Sequence, residues 1–196
     1  PTTHKAFDEA TAILAGDALQ CLAFELMADP AAHADGAIRA RLVVELARAS
    51  GVDGMVGGQM MDIQAPESGF SVQDIATLQG MKTGALFRFS AMAGPILGGA
   101  GPEDEARFSA FARDFGLAFQ VADDLIDATG DAAEAGKAVG KDADAGKATY
   151  VSHLGVAGAR AEVERLAQDA ADALAPYGAA ARPLQALAFH MVGRRS

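Results

Sequence analysis

Between Phe119 and Asp127 the chain reads Phe-Gln-Val-Ala-Asp-Asp-Leu-Ile-Asp, three carboxylates and an amide inside an otherwise apolar run. Gln120, Asp123, Asp124 and Asp127 are spaced i, i+3, i+4, i+7, which gathers them on one stripe if the run is a helix. Phe119, Val121, Ala122, Leu125 and Ile126 then turn to other faces, into packing. Acidic residues at helical spacing usually form a solvated face. Such a face is bordered by mixed polar residues, whereas this one is bordered by Phe115, Leu117, Phe119 and Leu125. Adjacent carboxylates repel, and burying them without an answering charge is expensive. Divalent cations are the usual answer, since hard oxygen ligands suit Mg²⁺ or Ca²⁺.

The rest of the chain is consistent with helices throughout. It has 196 residues, 51% of them hydrophobic, enough for a well-filled core and too apolar for disorder. Alanine is abundant, β-branched runs are scarce and no stretch alternates cleanly, so the fold class expected is all-α. The formal net charge of −10 argues against nucleic acid as a partner. A phosphate-bearing ligand would need locally placed lysines or metals. Cys21 is the only cysteine, which excludes an intrachain disulfide; among Leu19, Leu22 and Phe24 it reads as a buried small hydrophobe. His4, His33, His153 and His190 show no metal-ligand spacing. No apolar stretch is read as long enough for a membrane span and no signal peptide is visible, so the expected location is cytoplasmic.

Helices are predicted over His4 to Ala28 and Ile38 to Ala49, the second with Leu42, Val43 and Leu46 inside and Arg39, Arg41 and Arg48 outside. Val52 to Ile63 reads as a helix despite Gly54, Gly57 and Gly58. Each glycine costs on the order of 1 kcal/mol against alanine, so their presence suggests close approach of another helix or a ligand. After a loop over Ala65 to Gly69, Ser71 with Asp74 resembles a capping box and opens a helix towards Met92. Pro102-Glu103-Asp104-Glu105 starts the helix that carries the acidic stripe to about Thr129. Gly130 to Lys147 reads as a surface loop able to close over a ligand. Val156 to Leu174 and Ala181 to Val192 complete the helices. With no repeat and no linker, residues 1–196 are expected to form a single domain.

Two features join the stripe. Met81-Lys82-Thr83-Gly84-Ala85 sets a lysine and a threonine mid-helix between apolar turns, and Lys137 and Lys147 follow the carboxylates. Acids beside cations are what a bridging diphosphate–Mg²⁺ group requires: metal links the acids to phosphate oxygens, and lysines neutralise the remaining charge. Lys82 is the most telling of the lysines because its helix is otherwise apolar.

Taken in order, Gly16-Asp17-Ala18-Leu19-Gln20, Gly57-Gly58-Gln59-Met60-Met61-Asp62, Lys82-Thr83-Gly84, Phe119-Gln120-Val121-Ala122-Asp123-Asp124-Leu125-Ile126-Asp127 and then Gly136-Lys137, Gly140, Asp142, Gly146-Lys147, Thr149-Tyr150 resemble the motifs of trans-isoprenyl diphosphate synthases. The closest resemblance is to bacterial farnesyl diphosphate synthases, and it covers essentially the whole chain. It implies the isoprenoid synthase fold, with helices around a central active-site cavity. It implies Mg²⁺-dependent condensation of isopentenyl diphosphate with an allylic diphosphate, and a two-fold homodimer. By that likeness Asp123 ligates Mg²⁺, with Asp124 and Asp127 beside it or supporting it. Lys82, Lys137 and Lys147 hold the allylic diphosphate, and Thr83 and Gln120 stabilise the carbocation and the incoming isopentenyl group.

The family's first acidic motif and paired arginines would precede the Pro-Thr at residues 1 and 2. So would the basic residues that bind isopentenyl diphosphate and the positions that set product length. The resemblance therefore implies the C-terminal portion of a polyprenyl synthetase domain, half of a site, and inactivity of this chain alone. Two alternatives stand beside it: a non-catalytic regulatory subunit of a heteromeric prenyltransferase, and a synthase of longer polyprenyl chains. A class I terpene cyclase would share the fold but not the Lys-Thr-Gly and Phe-Gln-x-x-Asp-Asp pairing.

Overall fold

The computed structural model describes residues 1–68, 70–129 and 149–193. Every regular element among the described residues is helical, as an all-α chain requires. The domain expected over residues 1–196 divides into two compact units, residues 1–47 and 48–196.

The first unit holds α1 (Thr3–Ala6), α2 (Glu9–Ala28) and most of α3 (Gly36–Ser50). The helix expected to run unbroken from His4 is interrupted at Phe7 and Asp8. The Asp8 carboxylate accepts a hydrogen bond from the Thr11 amide at 2.7 Å and caps α2. No residue of α2 is buried, and Ile13, Leu14, Leu19 and Leu26 are all more than half exposed. Cys21 is exposed with them, correcting its expected burial: apolar periodicity reveals that a helix has a greasy side, not what covers it. α2 is also long and apolar enough, by length and composition, to cross a membrane, which corrects the reading that no stretch reaches that length. Asp17 stands midway along it, at a cost in hydrocarbon of about 2.5–3.5 kcal/mol. In α3, Leu42 and Leu46 are buried and Arg41 and Arg48 exposed, as the pattern predicts.

The second unit is built on α7 (Pro102–Thr129). Phe111, Phe115, Ala118, Val121, Ala122 and Leu125 pack with Ala159, Val163, Leu166, Ala170 and Leu174 of α8 (Tyr150–Ala173) and the segment that follows it, which also supplies Ala181, Ala188 and Met191. Small residues such as Ala118, Ala167 and Ala170, all fully buried, let the two long helices approach closely. α8 begins six residues earlier than expected. Gly155 breaks it with a φ of 68°, which explains why its regular pattern reads from Val156. A 3₁₀ turn (Ala175–Ala181) and α9 (Arg182–His190) close the described chain.

On another side of α7 lie α4 (Met55–Ser68), α5 (Val72–Gln79), a π-turn (Gly80–Gly84) and α6 (Ala85–Leu97). Phe87 of α6 stacks edge-on to Phe115 at 5.2 Å and lies 5.0 Å from Phe119. The Ser71–Asp74 capping box forms as predicted. α4 continues to Ser68, past the loop expected from Ala65.

Candidate active site

The π-turn is the unexpected element. A single helix was expected from Ser71 to Met92, but the backbone widens over Gly-Met-Lys-Thr-Gly. Single π-turns inside helices concentrate at functional sites, and this one contains Lys82 and Thr83. A glycine at each end supplies no side chain to resist the altered winding.

Lys82 and Thr83 are held from different helices. The Lys82 ammonium donates to Asp62 Oδ2 of α4 at 2.7 Å, and neither side chain is fully exposed (35% and 19%). Thr83 Oγ1 donates to Gln120 Oε1 of α7 at 3.4 Å. Gln120 Nε2 in turn donates to Asp124 Oδ1 at 3.3 Å, and the amide of Tyr150 donates to Asp124 Oδ2 at 3.1 Å. That last bond satisfies a donor left open at the start of α8. Asp124 is only 5% exposed. Burial raises the Tyr150 phenol above its ordinary range, and the charges of Glu162 and Asp124 push in the same direction.

The predicted stripe is thus one face of one helix, but its members differ. Asp124 faces inward and joins α7 to α8, while Asp123 and Asp127 are half-buried. Lys137 and Lys147 lie outside the described residues, as does the loop expected to close over a ligand. Among the described residues no three acidic, histidine or cysteine side chains converge as a metal cage. Mg²⁺ does not need one, because it keeps several waters and is commonly held by one or two carboxylates plus substrate phosphates. Half-buried carboxylates on one stripe fit that requirement.

Below Gln120 the same face of α7 lines a pocket of about 290 Å³. Arg113, Gly116 and Leu117 line one side, and Met81, Gly84, Ala85 and Arg88 the other; Asp53 and Gln79 complete it. Its walls are mainly apolar. Gln79 Oε1 is buried and makes no hydrogen bond with any described residue. Sequence reasoning assigned no role to Asp62, Gln79 or Tyr150. For Asp62 a signal existed: it sits four residues after Gly58, on the same face of α4.

The all-helical fold is that of the isoprenyl synthases. The chain belongs to the polyprenyl synthetase family, whose sequence model matches residues 1–176. It is similar to an FPP/GFPP synthase from Zymomonas mobilis in its apo structure, with 45% identity and a TM-score of 0.86 over 97% of this chain and 64% of that one. It is 30% identical to a geranyltransferase from Helicobacter pylori solved with magnesium and isoprenyl diphosphate, with a TM-score of 0.81 over 98% of this chain and 63% of that one. Geranylgeranyl pyrophosphate synthase 4 of Arabidopsis thaliana is 38% identical over 99% of this chain and 53% of its own length. The chain therefore spans about half the length of the curated relatives it matches.

Proposed function

We propose that the protein is a trans-prenyltransferase that joins isopentenyl diphosphate to an allylic diphosphate, dimethylallyl or geranyl, to give geranyl or farnesyl diphosphate. The observation that carries this reading is the placement of Lys82 and Thr83 in one π-turn, with Thr83 bonded across to the Gln120–Asp124 stripe above an apolar pocket. Family membership and the names of the relatives support it.

The reaction breaks an allylic C–O bond, and diphosphate leaves with the electron pair. The double bond of isopentenyl diphosphate attacks the allylic carbon, and a proton is then lost. Mg²⁺ held by Asp123, with Asp127 and Asp124 along the same stripe, would neutralise charge on the leaving diphosphate. The Lys82 ammonium donates to diphosphate oxygens, with Lys137 and Lys147 assigned the same task. Thr83 Oγ1 and Gln120 Oε1 present oxygen dipoles where positive charge develops, a preorganised form of electrostatic stabilisation. The apolar pocket keeps water from quenching the cation.

A cytoplasmic location and a homodimer belong to the same proposal; the exposed apolar side chains of α2 support the dimer. Incubation of the full-length protein, carrying the motifs expected before Pro1, with radiolabelled isopentenyl diphosphate, Mg²⁺ and each allylic primer, followed by sizing of the product, tests the reading. No transfer to any primer would refute it, and the product size separates geranyl, farnesyl and longer chains.

A further inference from the structure

α4 and the π-turn meet at Lys82 through two contacts. One is the ion pair between the Lys82 ammonium and Asp62. The other is backbone against backbone: a Cβ added to Gly58 would lie 2.2 Å from Lys82 N and 2.7 Å from its Cα. Gly58 and Asp62 are one turn apart on one face of α4. The glycine thus brings the main chain of α4 up to Lys82, and the aspartate takes hold of the lysine's far end. Lysine otherwise spends much rotamer freedom when it is ordered on a ligand.

We infer that Asp62 is a positioning residue for the diphosphate-binding lysine, an inference that rests on the diphosphate reading above. The ammonium has three N–H donors. Asp62 engages one of them and fixes the long side chain before any ligand arrives, leaving two for phosphate oxygens. The opposite role is equally definite. If Asp62 were only a counter-charge competing with phosphate for Lys82, its removal would tighten diphosphate binding.

Calorimetric titration of inorganic pyrophosphate in Mg²⁺ into the protein separates the two roles without reference to turnover. Asp62→Ala is expected to weaken binding roughly three- to tenfold, the loss anticipated when a flexible side chain must be ordered by the ligand itself. Asp62→Asn keeps an acceptor for the ammonium and is expected to remain within about threefold of wild type. In a Lys82→Ala background, Asp62→Ala should add less than about twofold, because coupled residues do not add. If Asp62→Ala does not fold, Asp62→Glu takes its place: it keeps the charge but displaces the ammonium, and is expected to weaken binding. Unchanged or tighter binding by Asp62→Ala or by Asp62→Glu, or an equal loss with and without Lys82, would overturn the inference alone. Failure of the wild-type protein to bind pyrophosphate with Mg²⁺ would overturn the diphosphate reading and this inference with it.

Discussion

Replacing Gly58 with alanine tests the contact that places Lys82. The added Cβ would stand 2.2 Å from Lys82 N, where ordinary contact begins at 3.4 Å, so α4 and the π-turn would have to part by about 1.2 Å. The atoms it meets are the Lys82 N, Cα and Cβ, so no flexible side-chain tip can swing aside. Overpacking of this kind costs about 1–3 kcal/mol, and a rigid backbone neighbour places Gly58 in the upper part of that range. Alanine recovers about 1 kcal/mol of helix propensity. The net expectation is a loss of roughly 1–2 kcal/mol in urea unfolding with an unchanged m value. Gly16 supplies the control. It lies in α2 with nothing within 4 Å of its added Cβ, so Gly16→Ala should stabilise by up to about 1 kcal/mol. A Gly58→Ala protein as stable as wild type, or two substitutions that change stability in the same direction, would refute the close contact at Lys82.

In the complete enzyme, Asp123→Ala is expected to lower kcat by at least ~10²-fold, the scale of losing one electrostatic stabiliser; near-wild-type turnover would remove Asp123 from the chemistry. Thr149 Oγ1 accepts from the Ser152 amide at 3.1 Å and caps α8, so Thr149→Ala should cost about 1 kcal/mol in chemical denaturation. Burial raises the Tyr150 phenol above its ordinary value of 10.0, so the unfolded chain gives up that proton first. The stability contributed by the neutral phenol is whole below that ordinary value and is lost as pH rises through the higher folded one. Urea unfolding at about pH 8 and about pH 11 should therefore show a larger loss for wild type than for Tyr150→Phe, and equal losses would refute the assignment.

The acidic stripe was legible because helical spacing is a geometric statement that needs no knowledge of neighbours. The division of labour within it was not. Asp124 bonds to Tyr150, 26 positions away in sequence, and nothing local distinguishes it from Asp123. Gly58 was correctly read as a close approach, since its added Cβ meets Lys82; Gly57 meets the Val52 carbonyl before Met81, and Gly54 stands in the turn before α4, against the end of α3. The π-turn was invisible: flanking glycines lower the resistance to altered winding without announcing it, so Lys82 and Thr83 read as mid-helix residues. The burial of α2 was misjudged for another reason. Its apolar side chains carry the periodicity of a packed helix, but periodicity does not include the surface that would cover them.

From Asp114 to Asp127 no residue of α7 is exposed. The helix is surrounded by α8, by the aromatic contacts of α6 and by the pocket and carboxylate stripe. This stretch consequently offers an engineer no site for a dye, a tether or a solubilising charge: each side chain already has an internal neighbour to displace. Handles for immobilisation or labelling belong on the exposed face of α8, at positions such as Arg160 and Glu164.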